Sequence, residues 1–215
     1  MKKRPLKLLA AFLLLGFLLF TLLVHFDLFT SIDLFATESL QKFIPRSVDI
    51  LFSLFSLFGS LEIVLLIILI LWAVNKILNY FYALFFLGLF HVFEFIGKVF
   101  VSHPGPTPEF FRYNIPFVFP SSGVSTGFSY PSGHMGRTIF LSIILIFLIY
   151  YAKRFSKFQK QIFYILIITF DLIMFISRIY LGEHWFSDIL GATILGATFA
   201  LLTVSFSLKH QLPQK

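Results

Sequence analysis

The chain has 215 residues, 58% of them hydrophobic and only 13% charged, with a formal net charge of +7 and a mean hydropathy of +0.92. An ordinary soluble domain carries about 25% charged residues, so the composition excludes a soluble globular core and places the chain among integral membrane proteins. Cysteine is absent, which excludes disulfides and thiolate metal sites. The basic residues sit in short segments between apolar runs rather than on a soluble face with interleaved aromatics, which argues against a nucleic-acid partner.

A helical span needs about 20 predominantly apolar residues. The first candidate covers residues 6–26, directly after Met1-Lys2-Lys3-Arg4. It resembles a signal peptide, but its apolar run exceeds the usual core of about 7–15 residues and no small-x-small cleavage site follows closely, so an uncleaved span is expected. Residues 27–46 mix apolar side chains with Asp33, Glu38 and Lys42, which predicts a short amphipathic helix lying on the membrane surface. A second span is expected over 60–74, with an apolar lead-in at 48–58, and a third over 78–100. The segment 102–130 contains Pro104, Pro106, Pro108, Pro116 and Pro120 and cannot form a regular helix. Connections of this length are commonly functional, and its Phe110, Phe111, Tyr113, Phe117 and Phe119 suit an aromatic belt at headgroup level. Three more spans are expected over 134–151, 161–180 and 184–206. The 32 phenylalanines read as lipid-facing and interfacial bulk. The expectation is an all-α fold: one membrane-embedded domain over 1–215, a bundle of six transmembrane helices with no internal repeat.

Lys and Arg set the orientation of such a bundle. With the N-terminus inside, inner segments hold Lys2, Lys3, Arg4, Lys7, Lys76, Lys153, Arg154, Lys157, Lys160, Lys209 and Lys215, which is most of the 17 basic residues. The outer side holds Lys42, Arg46, Lys98, Arg112, Arg137 and Arg178. Both termini are therefore expected in the cytoplasm. The same assignment brings Lys98, the 131–134 segment, Arg178 and His184 to one outer face.

Ionisable groups at the edges of spans are costly unless they serve a site. Pro131-Ser132-Gly133-His134 precedes a long apolar run and so opens a helix. Gly133 lets a ligand approach the backbone closely, and free N–H groups at a helix start make an anion site. Ser132 can cap that helix and also donate to a phosphate oxygen, with His134 beside the same anion. His184 and Asp188, at i and i+4, share one helix face. A carboxylate there fixes the imidazole tautomer and leaves the other ring nitrogen as nucleophile or base. Arg178 lies six residues before His184 and can clamp the same anion by a two-pronged bond. Any one of these residues could instead belong to a structural knot of charges; four such elements on one face favour a site.

Taken together, the motifs resemble the type 2 phosphatidic acid phosphatase superfamily, whose three motifs are Lys-x6-Arg-Pro, Pro-Ser-Gly-His and Ser-Arg-x5-His-x3-Asp. The second stands here as Pro131-Ser132-Gly133-His134. The third stands as Ser177-Arg178, five residues, His184, three residues, Asp188. The resemblance covers about 61–206. It implies a six-span fold, metal-independent and cofactor-free hydrolysis, and a phosphohistidine intermediate. It further implies His184 as nucleophile, Asp188 as its orienting partner and His134 as general acid, with Lys98, Arg178, Ser132 and the Gly133 amide binding phosphate.

The first motif departs from the family. Lys98 is followed by six residues and then Gly105-Pro106, so Gly stands where the family has Arg. A charge-assisted hydrogen bond is worth about 1.5–3 kcal/mol, so its loss from the transition state slows the reaction roughly 10–100-fold. Arg137, one turn beyond His134 on the same face, is the candidate replacement; the alternative is that it pairs with Glu94 or Asp171. Asp171, in the middle of the fifth span, is expected to make a structural bond between helices, and Glu94 to pair with Lys98 four residues on. His103 and Glu109 lie in the outer loop near the site, although no His, Asp and Glu set has metal-ligand spacing. His25, His91 and His210 look incidental. The expected substrate is a lipid phosphate presented from the bilayer at the outer face: a polyprenyl diphosphate such as undecaprenyl diphosphate first, phosphatidylglycerol phosphate, phosphatidic acid or lipid A phosphates next. A lipid phosphotransferase and a non-catalytic lipid-binding or transport protein on the same fold are the alternatives.

Overall fold

The computed structural model describes residues 3–75, 77–122 and 127–207, and all regular structure among them is helical. In chain order the helices are α1 (Lys3–His25), α2 (Thr30–Phe43), α3 (Asp49–Ser56), α4 (Leu61–Val74), α5 (Tyr80–Phe100), α6 (Gly133–Tyr151), α7 (Lys157–Tyr180) and α8 (Phe186–Ser207). Lys2, Lys76, Lys209, His210 and Lys215 lie outside the described residues.

Among the described residues five helices are long and apolar enough to cross a membrane: α1, α5, α6, α7 and α8. The second expected span, 60–74, needs correction. It corresponds to α4, whose 14 residues rise only about 21 Å, short of a hydrocarbon core of about 30 Å. The apolar lead-in forms α3 and a 3-10 turn, Leu57–Gly59, and Arg46–Gly59 meets Leu61–Val74 at 53°, a bent pair long and apolar enough together to be a sixth candidate span. Ser60 sits extended at the break and its hydroxyl caps the new helix by accepting from Ile63 N at 3.4 Å. Non-helical backbone in a membrane protein is tolerated where other protein covers it, and Gly59 and Ser60 are buried.

The centre of the bundle is α8, which packs on α1, α5 and α6. Its approach to α6 depends on small residues: a Cβ at Gly196 would strike the Gly136 carbonyl, and one at Gly136 would strike the ring of Phe90. Association inside a bilayer relies on such close backbone contact because lipid tails compete for apolar surface. The phenylalanines divide into two groups. Phe12, Phe35, Phe81 and Phe100 are exposed as expected of lipid-facing residues, whereas Phe17, Phe86, Phe90, Phe140, Phe147 and Phe199 form core.

The amphipathic segment forms α2, with its polar face turned inward. Asp33 and Thr37 are buried against the bundle, while Ile32, Leu34, Phe35 and Phe43 point outward. The loop after α5 makes two 3-10 turns, Pro108–Phe110 and Pro120–Ser122. Side chains hold it on the bundle. Gln41 donates to the carbonyls of Phe110 (2.7 Å) and Tyr180 (2.8 Å), Trp185 Nε1 donates to Pro104 O (2.8 Å), and Glu62 accepts from the backbone and hydroxyl of Ser121 (2.9 and 2.6 Å).

Candidate active site

The C-terminal ends of α5 and α7 and the N-terminal ends of α6 and α8 meet at one end of the bundle. They enclose a cleft of about 380 Å³ lined by Lys98, His134, Arg137, Arg178 and His184, together with Glu94 and Glu183. The loop closes over it with Phe111, Val118 and Ser129.

His184 stands in the turn between α7 and α8. That turn reverses at Gly182, whose φ of +67° suits only a residue without Cβ; a Cβ there would also strike the Phe110 carbonyl. The reversal returns His184 to the side of the cleft that Arg178 faces. His184 Nδ1 lies 3.2 Å from Asp188 Oδ2, which also accepts from Trp185 N at 3.0 Å. Asp188 is fully buried behind the imidazole. Nδ1–H directed at the carboxylate leaves the Nε2 lone pair as the reactive one. Burial holds the His184 imidazole well below its ordinary value, and the Arg178 and Lys98 cations add to this.

His134 lies in the first turn of α6. Ser132 caps this helix by accepting from Met135 N at 3.5 Å. Its side chain is fully buried and does not line the cleft. Gly133 sits against Glu94, whose carboxylate occupies the space a Cβ would need. Of the eight residues singled out from the sequence, five therefore line the cleft. Asp188 backs one of them, and Ser132 and Gly133 start the helix beside it.

Each cation is held by a neighbour. Lys98 donates to Glu94 at 2.8 Å, one turn earlier on α5. Arg137 donates through Nε to Gly59 O at 2.8 Å and places NH1 3.5 Å from Glu94. It thus caps a carbonyl freed by the break between α3 and α4. Arg178 bonds to Ser56 and to the carboxylate of Glu183. Burial raises the Glu183 carboxyl against the opposing effect of Arg178. The bent α3–α4 segment therefore supplies two anchors, Ser56 and Gly59, for the guanidinium groups on α7 and α6.

The remaining candidates separate clearly. Asp171 accepts from Ser142 at 2.6 Å, an interhelical bond between α6 and α7, and is not the partner of Arg137. His91 is not incidental, since its Nδ1 lies 3.0 Å from Glu94 Oε2. Nor is His25, which accepts from Ser102 N at 3.3 Å at the start of the loop. Glu109 is exposed in its 3-10 turn. His103 is 5% exposed and lies behind the cleft, with Asp33 and Ser187. Among the described residues no three His, Asp or Glu side chains are placed to hold a metal ion. Ser56, Gly59, Asp33, Ser187 and Glu183 carry no local sequence signal that ties them to the site; the packing of α2 and of the α3 segment reveals the first four, and the turn between α7 and α8 brings Glu183 back onto Arg178.

Residues 76–212 match the PAP2 superfamily. Over 85 residues the chain is 35% identical to phosphatidylglycerophosphatase B of Bacillus subtilis (strain 168), an alignment that spans 39% of this chain and 41% of that relative. The fold superposes with a TM-score of 0.76 and 21% identity on the crystal structure of a transmembrane PAP2-type phosphatidylglycerolphosphate phosphatase from Bacillus subtilis, covering 94% of this chain and 97% of the other. The family match covers both intact motifs and every cleft-lining cation, and the chain belongs to the PAP2 superfamily.

Proposed function

We propose that the protein is a membrane lipid phosphatase working through a phosphohistidine at His184. The observation that carries this reading is the convergence of Lys98, Arg137, Arg178, His134 and the His184–Asp188 pair on one cleft. Phosphoryl transfer demands mostly positioning and charge stabilisation, and three cations beside a helix start offer both. His184 Nε2 attacks phosphorus in line as the bond to the leaving oxygen breaks. His134 gives that oxygen its proton. Water then attacks the phosphohistidine, giving its proton to His134, and orthophosphate leaves with both imidazoles restored. Arg137 takes the place of the family arginine missing at Gly105; its position in the cleft wall supports this.

The substrate is a lipid phosphate whose head enters the cleft while its tails remain in the bilayer. The local similarity to a phosphatidylglycerophosphatase moves phosphatidylglycerol phosphate ahead of undecaprenyl diphosphate. The bias of Lys and Arg along the chain supports cytoplasmic termini and a cleft facing the extracytoplasmic side. The test is phosphate release from a panel of lipid phosphates in detergent with chelator present. Wild type releases phosphate and forms an acid-labile phosphoenzyme, and His184→Ala does neither. Full turnover by His184→Ala would refute the mechanism.

A further inference from the structure

We propose that His103, backed by Ser187 and Asp33, is a positioning residue of the reaction: it holds the second oxygen of Asp188 and so keeps the His184 imidazole aimed at phosphorus. The inference rests on the phosphohistidine reading above. Asp188 stands directly behind the His184 imidazole. This carboxylate is fully buried, and its Oδ2 already receives Trp185 N and His184 Nδ1. Its Oδ1 is equally shut off from solvent and makes no hydrogen bond of standard geometry among the described residues; His103 Nε2 faces it at 3.5 Å, and the Ser129 hydroxyl, which bonds to the His103 carbonyl, stands near the same carboxylate. A carboxylate that accepts on one oxygen alone can pivot about that contact, and the imidazole pivots with it. A donor opposite the second oxygen removes that freedom.

His103 Nε2 is suited to the role by its surroundings. It lies 3.1 Å from Ser187 Oγ and 3.7 Å from Asp33 Oδ2. The Ser187 hydroxyl proton is committed to Asp33 Oδ2 at 2.8 Å, and Ser187 N donates to Asp33 Oδ1 at 2.8 Å. Nε2 therefore faces two carboxylates and a hydroxyl oxygen, all acceptors, and must carry a proton there. The His103 backbone is fixed by Ser129, which donates to its carbonyl through N and Oγ, both at 3.1 Å, and the Tyr130 ring stands perpendicular to the imidazole at 6.4 Å. Asp33 comes from α2 and Ser187 immediately precedes Asp188, so the clamp joins the surface helix to the first turn of α8. This also explains why α2 buries an acid on its inner face.

The alternative role is a purely structural pin between α2 and α8, and the experiment separates the two. In metal sites the outer partner of a histidine is worth about 10–100-fold, and the same lever acts through Asp188 here. His103→Leu is expected to lower kcat about 10-fold or more with KM within about twofold, and His103→Gln, which retains an N–H donor, to recover most of the loss. In an Asp188→Asn background, His103→Leu should cost little further, because the two act through one carboxylate. Unchanged kcat in His103→Leu, or an equal fall in both backgrounds, overturns the proposal. If His103→Leu does not fold, Asp33→Asn and His103→Gln decide it: a kcat loss in the first with KM preserved and near-normal kcat in the second support the clamp, and wild-type kcat in Asp33→Asn overturns it. His184→Ala run in parallel keeps the questions apart, since activity there refutes the phosphohistidine, while inactivity there beside a fully active His103→Leu refutes only the clamp.

Discussion

Glu183 closes its carboxylate on the guanidinium of Arg178 inside the cleft, one residue before the proposed nucleophile. A phosphate arriving at Arg178 must displace or neutralise it. Glu183→Gln is therefore expected to bind orthophosphate more tightly by about 10-fold, which corresponds to about 1.4 kcal/mol. Burial raises this carboxyl, so acidification protonates it and lifts the repulsion. Competitive inhibition by orthophosphate should strengthen more steeply on acidification in wild type than in Glu183→Gln, a comparison in which the titration of phosphate itself cancels. Equal inhibition constants in the two proteins at neutral pH would refute the displacement.

The proposed nucleophile carries its own pH signature. Burial, with Arg178, Lys98 and Arg137 adding and Glu94 opposing, holds His184 well below the ordinary imidazole value of 6.5. Lowering the value favours the neutral, reactive ring, so deprotonated His184 persists as pH falls through 6.5. The acid limb of kcat/KM, which reports the free enzyme, is expected below 6.5. A limb at the ordinary value would show that the imidazole does not feel these cations.

Arg137 is the third test. Arg137→Lys removes the fork that reaches Gly59 O and the cleft together, and a 10–100-fold fall in kcat/KM is expected, about 1.5–3 kcal/mol. Gly105 also lines the cleft, and a Cβ there would meet only the Ser129 side chain, its Cβ at 3.4 Å and its Oγ at 3.9 Å. Gly105→Arg, which restores the family motif, should recover part of the loss in the Arg137→Lys background. Wild-type kinetics in Arg137→Lys would end the idea of substitution.

Asp171 gives the contrasting case. Its bond to Ser142 joins α6 and α7 away from the cleft, and interhelical hydrogen bonds in membranes average about 0.6 kcal/mol. Asp171→Ala should lower the melting temperature in detergent slightly and leave kcat and KM unchanged. A kinetic defect in this variant would place Asp171 in the reaction.

Much of the site was legible because its signals are local. An apolar run reports a span whatever surrounds it, Glu94–Lys98 and His184–Asp188 meet because i and i+4 share a helix face, and Ser132 caps because it precedes an apolar run. The Arg137 partner stayed open between Glu94 and Asp171, since spacing along α6 says which face a side chain takes but not which helix stands opposite. The break at Gly59–Ser60 was equally hidden: residues 48–74 read as apolar throughout, and only the docking of α3 against α7, with Ser56 on Arg178 and Gly59 on Arg137, shows why a straight span was abandoned.

By itself the amino-acid order determined the membrane class, the candidate spans and the candidate catalytic groups at their ends, because hydropathy and helical periodicity act over one or two turns. Tertiary structure alone decided that Arg137 meets Glu94 rather than Asp171, that α2 turns Asp33 inward, and that His103 stands behind Asp188. Those contacts join residues up to 154 positions apart, and they exist only once the helices have packed and each buried charge has had to find a partner.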